Sequence, residues 1–310
     1  MGKHFNTFPN LVKEDNLMTI FKGAGVAIVT PMNKDFSINF DKLDELLEFQ
    51  VAGKTDAIII CGTTGEASTL SIEEHLEAIR FTVERIKGRI PVVAGTGSNS
   101  TATAIELSQE AEKSGADACL LVSPYYNKAT QNGLIAHFTA IANSVKIPHI
   151  LYDIPGRTGV AIEPKTIAHL VKNVDNIVGL KEATGDIGNV AKVMNYCDGK
   201  LDLYSGNDDQ VVPLLSLGGL GVISVLANMA PEYMHNMVHS FFKGDVDTAR
   251  KMQLDSIPIF EALFCEVNPI PIKTALNIMG KEVGPPRAPL TVMEPQNQEI
   301  LAQAMRNFKP

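Results

Sequence analysis

Short β-branched runs recur along this chain, each apolar on both faces and each followed by a longer stretch with helical spacing. Eight can be read: GAGVAIVTP (23–31), AIIICGTTG (57–65), IPVVAGTGS (90–98), ACLLVSPYY (118–126), PHILYDIPG (148–156), IVGLKEATG (the 177–186 region), LDLYSGND (201–208) and GVISVLAN (221–228). A strand without a polar face must be covered on both sides, which predicts a parallel sheet under helices. Between the runs, SIEEHLEAIRFTVERIKG and TATAIELSQEAEKSG repeat apolar residues at three and four and end on a basic turn closed by glycine. Eight strand–helix units in about 210 residues fit a closed (β/α)8 TIM barrel better than an open doubly wound sheet. After Asn228 the alternation stops, and helical patterns broken by NPIP and GPP predict a C-terminal helical extension. The expected division is a leader at 1–17, a barrel at 18–244 and a helical region at 245–310.

With 310 residues, 45% hydrophobic and 20% charged, the chain can bury a full core. No apolar run reaches the roughly 18 residues that span a bilayer, so no membrane association is expected. The leader lacks the apolar stretch of a secretory signal and precedes a second methionine, Met18, so it reads as poorly ordered or foreign to the native chain. A net charge of −8 with scattered lysines and arginines argues against a nucleic-acid partner. Cys61, Cys119, Cys197 and Cys265 form no CxxC pair, and a reducing cytoplasm suits them.

In such barrels the chemistry sits at the carboxyl ends of the strands. There NIVGLKEATG (176–185) sets one lysine, Lys181, within a run of apolar and small residues. Either its ammonium turns to water or pairs with Glu182, or it is held where charge is expensive. A lysine in water is only about 0.04% neutral at pH 7, and burial is what turns an amine into a nucleophile able to form a Schiff base. Lys273, in NPIPIKTAL, reads as a helix lysine reaching out to solvent. Tyr152 lies one strand earlier, about 4.8 Å away across a parallel ladder, and its phenol could act as general acid or base with Thr63 as a proton path. The other reading is a core tyrosine bonded to a backbone carbonyl. GTTGE (62–66) offers backbone amides for a carboxylate at a strand end, or is simply a tight turn. Arg157, in a glycine-rich loop, suits a bidentate grip on a second carboxylate, or is solvated. His235 and His239 in HNMVH are four apart, but no acidic pattern of the HExxH kind accompanies them. GTGSNST lacks the Gly-Lys of a P-loop and the third glycine of a dinucleotide fingerprint. No metal and no cofactor are expected.

GTTGE, SPYYNKATQNG, LYDIPGRTG, GLKEATG, SGND and NPIPIKTAL stand in the order and spacing of the dihydrodipicolinate synthase family, and the chain resembles it from about Phe21 to its final helices. That class includes N-acetylneuraminate lyase. The resemblance implies a (β/α)8 barrel with a helical extension that condenses pyruvate with L-aspartate-4-semialdehyde in lysine and diaminopimelate synthesis. It implies that Lys181 forms the Schiff base, that Tyr152, Thr63 and Tyr126 relay protons, and that Tyr126 reaches a neighbour's site across a tight dimer in a dimer of dimers. Thr64 then holds the pyruvate carboxylate through its backbone, Arg157 meets the semialdehyde carboxylate, and Gly206 and Ile223 line the pocket. Arg157 and Thr63 favour the synthase over the sugar-acid aldolases, which remain the alternative. His75, Asn99 and Tyr125 match contacts to a lysine inhibitor, but Thr103 stands where sensitive members carry a glutamate, so weak or absent inhibition is expected.

Overall fold

The computed structural model describes residues 19–310, and the leader at 1–17 lies outside them. Every run forms a strand: β1 (Gly23–Ala27), β2 (Ala57–Ile60), β3 (Val92–Gly95), β4 (Ala118–Val122), β5 (His149–Asp153), β6 (Ile177–Glu182), β7 (Asp202–Ser205) and β8 (Gly221–Ser224). All neighbours are parallel, and β8 returns to β1 with Ala24 opposite Val222, which closes the barrel. The (β/α)8 expectation therefore holds.

Alternation along the strands explains why the runs look apolar on both faces. Ile59, Val93, Leu120, Ile150, Tyr204 and Ile223 point inward and fill the barrel. Ile58, Ile60, Leu121, Leu151, Leu180 and Leu203 point outward under the helices. Both layers are dry, so neither side of a strand needs polar residues. The strands are shorter than the runs, because the last residues of each run peel away as turns at the carboxyl ends. After β2, Gly62–Glu66 is such a turn. Helix Ile72–Ile86 then begins with a capping box, Ser71 Oγ accepting from Glu74 N at 3.2 Å and Glu74 Oε2 from Ser71 N at 3.0 Å. That helix closes on Lys87 in the left-handed region (φ 50°) ahead of Gly88, one residue before the expected glycine.

Helix Pro231–Phe242 packs on β1, and helices Val246–Asp255, Ile257–Leu263, Ile270–Ile278 and Pro295–Asn307 follow. This last part ties back to the carboxyl-end loops: Met32 N donates to Val283 O at 2.9 Å. Lys273 corrects the sequence reading. It is 1% exposed and donates to Glu66 Oε1 at 2.7 Å, Pro285 O at 2.8 Å and Thr30 O at 3.1 Å. Burial pulls its pKa down, against the opposing pull of Glu66. The helix points this lysine inward because a carboxylate far back in the sequence waits there. Among the described residues no helix is long and apolar enough to cross a membrane.

Candidate active site

Lys181 is the fifth residue of β6 and is 6% exposed, so the hydrated reading is excluded. Glu182 does not pair with it: side chains alternate along a strand, and Glu182 Oε1 instead accepts from Thr184 N at 2.9 Å and from the Thr184 hydroxyl. Tyr152 is the direct register partner of Lys181, and the lysine Nζ lies 4.2 Å from the centroid of its ring. A ring face attracts an ammonium, and this contact holds the amine against the phenol's own ring. Gly206 leaves room for the lysine stem. A Cβ there would stand 2.8 Å from Ala183 Cβ, 2.9 Å from Glu182 O and 3.1 Å from Lys181 Cε. Nearby Asp208 is buried, its Oδ2 accepting from Leu226 N at 2.8 Å and Val225 N at 3.0 Å. Burial raises its pKa, while these bonds and the charge of Lys181 work the other way.

A cavity of about 360 Å³ opens over the strand ends. Thr63, Tyr152 and Arg157 line it together with His75, Thr103 and Tyr125. Among the described residues Arg157 is the one formally charged side chain in that lining, so the cavity favours an anion. It stands on a short helix, Pro155–Thr158, where a loop was expected. Lys181, Gly206 and Ile223 are not in the lining. Lys181 sits behind Tyr152, and Ile223 lies inside the barrel in register with Gly25. Thr64 is buried and its hydroxyl accepts from Asn268 Nδ2 at 3.0 Å. The backbone amides of Thr63 and Thr64 take no intrachain partner among the described residues, which leaves them free to donate. His75 Nε2 is 2.7 Å from Gly95 O, and burial lowers its pKa. Tyr126 lies outside the cavity, 90% exposed and at φ 74°, a left-handed conformation that costs a non-glycine residue about 1–2 kcal/mol.

Three residues that shape the site, Asn268, Glu66 and Lys273, lie within motifs noted in the sequence without a part in the site being read for them there. Asn268 bonds Thr64 through its side chain and accepts Arg157 Nη2 at 3.2 Å on its carbonyl, bridging the two expected carboxylate anchors. Glu66 and Lys273 fasten the turn that carries Thr63 and Thr64, with Arg287 N also donating to Glu66 Oε2 at 2.7 Å. The charge of Lys273 in an apolar setting was the available signal.

A buried strand lysine, a tyrosine in register with it and an anion-favouring cavity at the strand ends define a barrel enzyme of the Schiff-base lyase class. The chain belongs to the Dihydrodipicolinate synthetase family, whose model matches residues 20–308. It is 59% identical over 289 residues to the 4-hydroxy-tetrahydrodipicolinate synthase of Lachnoclostridium phytofermentans, covering 93% of this chain and 98% of that one. Among solved structures it is similar to the 4-hydroxy-tetrahydrodipicolinate synthase of Methylacidiphilum fumariolicum, at TM-score 0.91 and 43% identity over 93% of this chain and 95% of that one. A monomeric dihydrodipicolinate synthase variant superposes at TM-score 0.91 with 37% identity, covering 93% and 97%.

Proposed function

We propose that this chain condenses pyruvate with L-aspartate-4-semialdehyde to 4-hydroxy-tetrahydrodipicolinate, through an imine on Lys181. The carrying observation is the Lys181 amine, buried and held over the ring of its register partner Tyr152 beneath the cavity. Lys181 attacks the pyruvate ketone, and loss of water leaves a protonated imine. Tyr152 takes a proton from the methyl carbon, passing it on through Thr63 and Tyr126, and the resulting enamine attacks the aldehyde carbon. The aldehyde oxygen is protonated to the hydroxyl that the product keeps. The semialdehyde's own amine then adds to the imine carbon, closes the ring and expels the Lys181 amine. Thr63 and Thr64 amides face the pyruvate carboxylate, and Arg157 faces that of the second substrate. Gly206 and Ile223 shape the floor around the lysine. A sugar acid has no second carboxylate for Arg157 to meet, so the aldolase alternative is not favoured.

Tyr126 completes a neighbour's relay, and the functional assembly is a homotetramer, a dimer of dimers. Its exposure and left-handed backbone support this, since nothing among the described residues of one chain accounts for either. We also divide the chain at 244/245 into barrel and helical region, and the free cysteines support a cytoplasmic setting. The test is reduction with borohydride in the presence of pyruvate, followed by peptide mass spectrometry. A reduced three-carbon adduct is expected on Lys181 and none on Lys181→Ala. Label on another residue, or no label, removes the proposal.

A further inference from the structure

We propose that Asp56, His235 and His239 bind one divalent late transition metal of the zinc type, at the end of the barrel opposite the cavity. Asp56 directly precedes β2, so it marks the amino ends of the strands. His235 and His239 lie one turn apart on helix Pro231–Phe242, the helix packed on β1. The acidic partner that HNMVH lacks in its own segment thus arrives from the residue just before β2, 179 positions earlier than His235.

The three side chains already converge. His235 Nδ1 is 3.1 Å from Asp56 Oδ2, and His239 Nε2 is 3.1 Å from Oδ1. The imidazoles stack with centroids 4.0 Å apart, and one donor atom from each residue falls within 4.8 Å of the others. Zinc bonds of about 2.0–2.2 Å in a tetrahedron put donors about 3.3–3.6 Å apart, so small rotations of the rings suffice. The carboxylate is built into the floor. Ala24 N donates to Oδ2 at 2.7 Å, and a Cβ on Gly23 would lie only 2.0 Å from that oxygen. Side-chain exposures of 20%, 18% and 29% for His235, Asp56 and His239 leave a solvent-facing position for a fourth ligand. Two imidazoles and a carboxylate suit zinc, and nickel or copper by affinity order, over magnesium or calcium. The neighbouring charges are committed elsewhere: Lys54 pairs with Glu232 at 2.6 Å, one turn before His235, and Lys22 lies over the Phe242 ring at 4.0 Å.

An ion here joins the barrel floor to the helix that covers it, so it stabilises the fold by an amount that grows with the logarithm of its free concentration above the dissociation constant. It lies at the far end from Lys181 and has no part in the condensation. Metal-free protein is titrated with cobalt(II), read by visible absorption, then back-titrated with zinc(II), with melting temperature measured in parallel. One equivalent per chain is expected to give a tetrahedral cobalt band that zinc abolishes, and zinc is expected to raise the melting temperature. His235→Gln and His239→Gln are each expected to weaken binding by about tenfold or more, the scale seen for lesser changes around metal sites. Cys265→Ser, which removes the exposed thiol, is expected to bind as before. Absence of a cobalt band in the unsubstituted protein at large excess overturns the proposal. So does equal affinity in whichever histidine variants fold, or loss of the band in Cys265→Ser.

Discussion

Replacing Lys273 by methionine keeps most of the length of its apolar stem and removes its charge. The structure gives the size of the effect. The ammonium is 1% exposed and makes three hydrogen bonds, one of them to a Glu66 carboxylate that is equally buried at 1%. In the variant that carboxylate keeps only the amide of Arg287, and removing one partner of a buried pair costs about 3–5 kcal/mol. In a chain of this length about 2 °C is lost for each kcal/mol, so the melting temperature is expected to fall by about 6–10 °C. Urea and thermal melts at fixed protein concentration measure it, with Glu66→Gln and the double variant completing a cycle. The double variant is expected to be more stable than the sum of the single losses allows, because no lone charge remains. Turnover of folded Lys273→Met is expected to drop as well, since Glu66 anchors the turn bearing Thr63 and Thr64. A loss below about 1 kcal/mol, or strictly additive single effects, refutes the reasoning.

Tyr152→Phe is expected to leave the borohydride-trapped adduct on Lys181 intact while turnover falls by about 10² to 10⁴, read by single-turnover kinetics. Arg157→Ala is expected to raise KM for the semialdehyde far more than KM for pyruvate, and an unchanged semialdehyde KM contradicts its assigned contact. Asp153 is pushed by burial to about 7, with Glu182 adding to the rise and the bond from Ile162 N opposing it. The folded state therefore holds that proton more tightly than the unfolded chain, so stability falls as pH rises from about 4 to 7, by about 4 kcal/mol for this group. Asp153→Asn is expected to flatten that part of the stability profile in denaturation at several pH values. Titration with lysine is expected to leave turnover nearly unchanged, because the cavity near Thr103 offers no carboxylate to its ammonium.

The barrel was legible because its two dry layers force β-branched residues onto both faces of every strand, and Ile58 to Ile60 show this within three positions. Lys181 stood out because it is the lysine of a largely apolar strand run, though pairing with Glu182 stayed open until alternation along the strand sent the two side chains apart. Tyr152 followed from strand order alone, and the register then placed it beside the lysine. What stayed hidden depends on groups distant in sequence. Helical spacing tells which face Lys273 occupies and nothing of Glu66, 207 positions earlier, which makes the inward face tolerable. The same blindness separated Asp56 from HNMVH. The double role of Asn268 divides between a side chain and a carbonyl, and backbone acceptors leave no trace in residue type. Tyr126 gave no hint of its exposure, since a tyrosine after a strand reads equally well as buried.

Asn268 belongs to the stretch that follows the closed ring of strands, yet it grips Thr64 in the turn after β2 and Arg157 on the short helix after β5. The spacing between Thr64 and Arg157, the two proposed carboxylate anchors, is thereby held by a part of the polypeptide that contributes nothing to the cylinder. A substitution at Asn268 is therefore expected to shift Thr64 and Arg157 relative to each other without touching a single strand.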